Sequence, residues 1–136
     1  MPKSNIYFQL FKISLTKILL HVMNALPSQT ITAAYSDLQI SLGNLYRDFM
    51  AGERSDNQKQ ALEAYRNALQ GFEAINDTQG VTECQVNLGN LYQELITGDR
   101  SDNQKQALEA YRNALQGFEA INDTQELAAC QMNLGV

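Results

Sequence analysis

Residues 55–79 read SDNQKQALEAYRNALQGFEAINDTQ, and residues 101–125 read the same string, identical at 25 of 25 positions with an offset of 46. A segment duplicated at a fixed offset is one supersecondary unit used twice, with each copy burying its apolar face against the next. The duplication extends outward. Leu42-Gly43-Asn44-Leu45-Tyr46 recurs as Leu88-Gly89-Asn90-Leu91-Tyr92, and Asn133-Leu134-Gly135 begins it a third time. Upstream, Leu38-Gln39-Ile40, Cys84-Gln85-Val86 and Cys130-Gln131-Met132 occupy matching places.

Each unit reads as two helices. The first is expected over about 79–97, with Val81, Cys84, Leu88, Tyr92, Leu95 and Ile96 as its apolar stripe. Gly98 is expected to stop it, because glycine enters the left-handed conformation at little cost. The second is expected over about 102–121, with Ala107, Leu108, Tyr111, Ala114, Leu115, Phe118 and Ile121 as its stripe. Ser55 with Gln58, and Ser101 with Gln104, match the spacing of a capping box. Asn122-Asp123-Thr124 breaks the second helix, and Asp123 or Thr124 can cap the next one. No stretch alternates with period two, so strands are not expected. Gly43, Gly89, Gly71 and Gly117 fall inside helical stripes, where glycine costs about 1 kcal/mol relative to alanine. Their recurrence at fixed places predicts close helix–helix approach.

Composition narrows the function. The 136 residues carry 10 basic and 15 acidic groups. A net-acidic chain without a basic stripe is not built to meet a phosphate backbone, which excludes nucleic acid as the expected partner. His21 is the only imidazole, and no acid lies near it in sequence. Cys84 and Cys130 sit at equivalent places, roughly 10 Å or more apart in stacked helix pairs, whereas a disulfide needs Cα atoms within about 7 Å. They are expected to be reduced thiols, which suits the cytoplasm. No nucleophile elbow, phosphate-binding glycine loop or metal-ligand spacing occurs. The expectation is a protein without catalytic residues, metal or cofactor.

Charge is unevenly spread. The three basic groups of residues 1–36 (Lys3, Lys12 and Lys17) have no acidic counterpart before Asp37. Residues 6–26 are strongly apolar, and three readings compete. A transmembrane span would carry Lys12 and Lys17 in mid-bilayer at roughly 3 kcal/mol each. A signal peptide wants a longer uninterrupted apolar core than Ile18–Leu20. The third reading is a helix packed on the repeats through Leu15, Ile18, Leu19, Val22, Met23 and Leu26, with both lysines snorkelling from its edge. The third is the expectation, and residues 1–28 are read as a cap on an array over 29–136. Its units fall at about 31–76 and 77–122, with a truncated third at 123–136.

The motifs also carry a resemblance. Leu-Gly-x-x-Tyr in the first helix (Leu88, Gly89, Tyr92; Leu42, Gly43, Tyr46) and Ala-x3-Tyr-x2-Ala in the second (Ala107, Tyr111, Ala114; Ala61, Tyr65, Ala68) resemble the tetratricopeptide repeat. The Leu-Gly-Asn-x-Tyr form is similar to its longer-helix subclass. The resemblance covers about residues 31–136. Two features depart from it: the period is 46 rather than 34 or about 40, and Asn-Asp replaces the proline that often closes a repeat.

The resemblance implies an all-α, right-handed superhelical solenoid of antiparallel helix pairs. It implies a concave groove, lined by the first helix of each pair, that holds a peptide or partner helix. The residue after the helix glycine, here Asn44 and Asn90, often contacts the ligand backbone in proteins of this kind. An amide offers one acceptor and two donors and needs no particular side chain opposite it. Ile40 and Val86 lie one turn before these residues, and Arg47-Asp48 and Gln93-Glu94 one turn after, with Asn87 adjacent. The expected function is a non-catalytic protein-interaction scaffold. Two alternatives stand beside it: a regulatory segment of a larger bacterial signalling enzyme of caspase-like type, and an adaptor tethered to a membrane through residues 6–26. The partly repeated third unit leaves Leu127, Cys130, Leu134 and Val136 without an expected cover, so self-association at that end is a further expectation.

Overall fold

The structure, a computed structural model, describes residues 3–24, 29–49 and 51–121. These form five α-helices and no strand: α1 (Lys3–Met23), α2 (Gln29–Asp48), α3 (Arg54–Ala74), α4 (Thr78–Glu94) and α5 (Arg100–Ile121). Each packs chiefly on its sequence neighbours. α2 pairs with α3 and α4 with α5, α3 joins the two pairs, and α1 lies along α2. The all-α expectation therefore holds among the described residues. The segment from 122 onward, with Cys130 and the expected bare end, lies outside them.

Small residues set the pairing distance. A methyl group built on Gly43 would sit 2.5 Å from Cε1 of Tyr65, and one on Gly89 would sit 2.6 Å from Cε1 of Tyr111. The tyrosine rings thus lie directly against glycine backbone. Tyr65 and Tyr111 are buried to 0% and 1% exposure. On the other side of the seam, Gly71 faces Ser36 and Gly117 faces Thr82 just as closely. The small residues Ala61, Ala64 and Ala68 of α3 are likewise buried. One core cluster joins Ile40 of α2, Ala61, Tyr65, Ala68 and Phe72 of α3, and Cys84, Leu88 and Leu91 of α4. α5 contributes Ala107, Tyr111, Ala114 and Phe118 to a second. Burial pushes the Cys84 thiol up to about 12, so it stays protonated and unreactive at neutral pH.

The helix ends depart from the expected caps. Ser55 and Ser101 lie inside α3 and α5, so neither makes a capping box. In the second unit Asp99 caps α5 by accepting from the backbone of Asp102 at 3.0 Å. Its counterpart Glu53 makes no side-chain cap, because one extra methylene carries the carboxylate past the first-turn amides. Asn57 and Asn103 tie both loops down by donating to the carbonyls of Ala51 and Thr97 at 2.9 and 2.8 Å. α4 ends at Glu94, before Gly98, which takes its positive φ of 80° within the loop rather than at the cap.

The Asn76-Asp77 pair shapes the corner between α3 and α4. Asn76 adopts φ 57°. Its amide donates to Glu73 and the Asp77 amide to Phe72, which is the Schellman closure of α3. Asp77 then caps α4 by accepting from Gly80 at 3.0 Å. Proline at either position would remove one of these donors.

Gln58, read as half of a capping box, turns instead into the interior. It is 3% exposed. Its amide donates to the carbonyl of Glu94 at 2.8 Å and accepts from the amide of Ile96 at 3.0 Å. It thereby satisfies backbone groups left open at the end of α4 and joins α3 to the following loop.

α1 packs antiparallel to α2, but through the face opposite to the one expected. Ile13 and Leu20 are buried against Leu42 and Ala64, and Gln9 donates to the carbonyl of Asp48 at 3.2 Å. Leu15, Ile18, Leu19 and Val22 are exposed. Met23 is half-buried, and Leu26 lies outside the described residues. The helix is apolar on both sides, so periodicity alone could not choose between them.

The glycine contacts give a prediction whose sign discriminates. Helix propensity alone would make Gly89→Ala stabilising by about 1 kcal/mol. The Tyr111 ring leaves no room for the methyl, so overpacking is expected to destabilise by about 1–3 kcal/mol. Urea unfolding of the variant checks this through its midpoint.

Candidate functional site

The residues expected to line a groove fall into two sets. Asn44, Asp48 and Gln93 are exposed, and Asn87, Asn90, Arg47 and Glu94 are half-buried. Ile40 does not belong with them. It is 6% exposed, inside the cluster that joins α2, α3 and α4, and its side chain is spent on that core. Val86 is half-buried and packs on the Ala107–Tyr111 cluster of α5. Ile40 is therefore not available to line a groove, and Val86 is available only in part.

The two asparagines are held alike. The Tyr65 hydroxyl donates to Oδ1 of Asn44 at 2.5 Å, and the Tyr111 hydroxyl donates to Oδ1 of Asn90 at 2.5 Å. The reason is local. Each tyrosine ring crosses the glycine that precedes the asparagine, so its hydroxyl emerges beside that amide. With the carbonyl so engaged, the remaining polar capacity of each amide is its NH2, a pair of donors. Gln93 stands 3.2 Å from the same Tyr111 hydroxyl through its carbonyl oxygen. One hydroxyl proton cannot serve two acceptors, so Gln93 fits better with its NH2 toward the tyrosine.

Arg47 of α2 forms a two-pronged ion pair with Glu94 of α4. Its Nε donates to Oε2 at 2.9 Å, and its Nη2 donates to Oε1. The side chains are 26% and 35% exposed, so the pair is worth about 0.2–1 kcal/mol after solvent screening. The pair holds the guanidinium charged far above neutral pH. It bridges equivalent helices of successive units and fixes how the Asn44 face meets the next one. It also neutralises the single cation expected in the groove. Burial pushes the Tyr65 hydroxyl up to about 12, so it remains a donor to Asn44 through the neutral range.

Asn44 opens onto a depression of about 370 Å³ between α1 and α2, lined also by Lys12, Leu15, Thr16, Ser41, Leu45 and Asp48. α1 therefore forms one wall beside the first asparagine. Ser41 is not a free ligand group there, since its hydroxyl donates back to the carbonyl of Asp37 at 3.2 Å. Among the described residues, no group of three or more His, Cys, Asp or Glu is placed to hold a metal ion.

The tyrosine partners of the asparagines were not foreseen, nor was the Arg47–Glu94 pair. The first had a sequence signal: asparagine and tyrosine stand 21 apart in both units, one helix and one turn away. The second had a weaker one, an arginine and a glutamate separated by one repeat plus one residue. Compared with known proteins, the chain matches no family model, no curated protein and no solved structure.

Two measurements test this geometry. A double-mutant cycle on Arg47→Ala and Glu94→Ala should give a coupling of at most about 1 kcal/mol, shrinking in high salt. Alkaline unfolding should respond to Tyr65. A raised folded pKa gives stability that is full below the ordinary tyrosine value near ~10 and is lost as pH rises through the folded value. Tyr65→Phe should remove that alkaline component from a plot of stability against pH.

Proposed function

We propose that the chain is a non-catalytic protein-interaction module of tetratricopeptide-repeat type, in which α2 and α4 present a groove to an extended peptide or partner helix. The observation that carries this reading is the matched pair of asparagines. Each sits at the same place in its unit, with its carbonyl taken by a buried tyrosine hydroxyl, which leaves the NH2 as the amide's donor pair. Such donors suit the carbonyls of a peptide backbone, whose spacing is the same whatever its sequence. The helix pairing and the glycine–tyrosine contacts support stacked helix pairs, which in an array of this type wind into a right-handed superhelix.

The partner's chemistry follows from what surrounds the asparagines. Arg47 is answered by Glu94, so its guanidinium is not free to capture a partner's terminal carboxylate. Asp48 is exposed beside Asn44, which favours a segment with some basic residues. The apolar contribution comes from Leu15 and Leu45 in the adjoining depression rather than from Ile40. The reading therefore specifies a mixed apolar and basic segment.

Selection of peptides from a random display library against the full chain tests it. Enriched peptides should carry apolar and basic residues. Asn44→Ala combined with Asn90→Ala should weaken them at least about tenfold, the effect of losing one or two hydrogen bonds, with helicity by circular dichroism kept. Peptides that bind the double variant as tightly as the original chain would overturn the reading.

A further inference from the structure

Apart from Lys12, Leu15 and Thr16, which wall the depression beside Asn44, the outer side of α1 takes no part in the asparagine face. Tyr7, Phe11, Ile18 and Val22 are 72%, 64%, 61% and 54% exposed. Their spacings of four, seven and four place them in one line along the helix. Leu15 and Leu19 widen that line and are also exposed. The line runs about 22 Å at 1.5 Å per residue, longer than the scattered apolar contacts of an ordinary surface. The opposite face is already occupied by α2 through Ile13 and Leu20.

The charges that α1 itself carries beside this strip are all of one sign, while Asp48 of α2 shares a depression with Lys12 and Glu63 of α3 shares one with Lys17 and His21. Helical periodicity puts Lys12 on one flank and Lys17 with His21 on the other. Lys12 lies 4.4 Å from the centre of the Phe8 ring, at the edge of the strip. No acidic residue precedes Asp37. We propose that α1 lies in the plane of an anionic lipid surface, with the strip among the acyl chains and the lysines at the headgroup phosphates. Apolar area and cationic flanks are the two terms that hold such a helix at an interface.

The charges decide between lipid and a second copy. Two strips face to face would bring lysine rows together with no carboxylate from either helix to answer them. Anionic headgroups answer each lysine. The acidic repeat body stands behind α1, about one helix diameter of 10 Å from the lipid, close to the screening length at physiological salt. A spanning orientation is disfavoured, although Asn5–Met23 is long and apolar enough to cross a membrane, with a mean hydropathy of 1.3. It would carry Lys12 and Lys17 into hydrocarbon and strip Ile13, Leu20 and Gln9 from α2. The strip shares Leu15 and its flanking Lys12 with the depression beside Asn44, whereas Tyr7, Phe11, Ile18 and Val22 lie outside that depression, so Phe11 and Ile18 test the lipid contact apart from the peptide groove.

Cosedimentation of the full chain with vesicles tests it. One set is phosphatidylcholine alone, and the other contains one quarter phosphatidylserine. The chain should partition at least about tenfold more into the anionic set and be released by salt. Phe11→Glu combined with Ile18→Glu should abolish binding with helicity unchanged, because both side chains are exposed. Lys12→Gln and Lys17→Gln should each weaken partitioning roughly fivefold. Failure to bind either vesicle, or undiminished binding by the glutamate variant, would overturn the proposal. So would a lipid-free dimer that the glutamate variant makes monomeric, which would assign the strip to a second copy. Resistance to salt and alkaline carbonate would assign a spanning helix instead.

Discussion

The seating of a tyrosine ring on a glycine backbone is the contact on which the rest depends. It occurs twice, Tyr65 on Gly43 and Tyr111 on Gly89. A helix pair without side chains at the crossing can approach closely, and a ring laid across that crossing fills the space at nearly full burial. The same placement does chemical work one residue later. The phenol reaches past the glycine to the next side chain, which in both units is asparagine. Packing and polar presentation are thus consequences of one geometry. A change that moved the ring would shift the asparagine with it.

The joint between the two units adds polar groups to the core that α2, α3 and α4 share. Gln58 satisfies backbone groups at the end of α4 from within α3, and Arg47 reaches across to Glu94. Their energies differ in kind. Gln58 is buried, so losing it would leave backbone groups unpaired at about 1–3 kcal/mol. The ion pair is partly exposed and adds less, so it sets orientation more than stability. The Asn76-Asp77 corner completes the joint, with one residue closing α3 and the next opening α4. A direct repeat needs such fixed corners, because each helix pair inherits its orientation from the one before.

Much of this was legible in the residues. The offset of 46, the glycines in helical stripes and the Ala-x3-Tyr-x2-Ala spacing led to paired helices in close contact. They also placed Asn44 and Asn90 at equivalent, accessible positions. The misreadings came from side chains that can serve two purposes. Ser55 and Gln58 have the spacing of a cap, yet α3 begins before Ser55 and Gln58 finds better partners across the interface. Ile40 has the right period for a groove, yet α3 and α4 close over it. Glu53 and Asp99 occupy one position and differ by a methylene, and only the shorter one caps.

The sequence by itself determined that this chain forms antiparallel helix pairs, because duplication, glycine placement and apolar period all constrain the same local geometry. It also determined the absence of acid from the first 36 residues. Only the tertiary structure decided which face of α1 is buried, where the Gln58 amide points and what Arg47 pairs with. The physical reason is common to all three. α1 is apolar all round, and glutamine and arginine have long, rotatable side chains. In each case several arrangements satisfy the local rules equally, and complementarity with a neighbouring helix selects one.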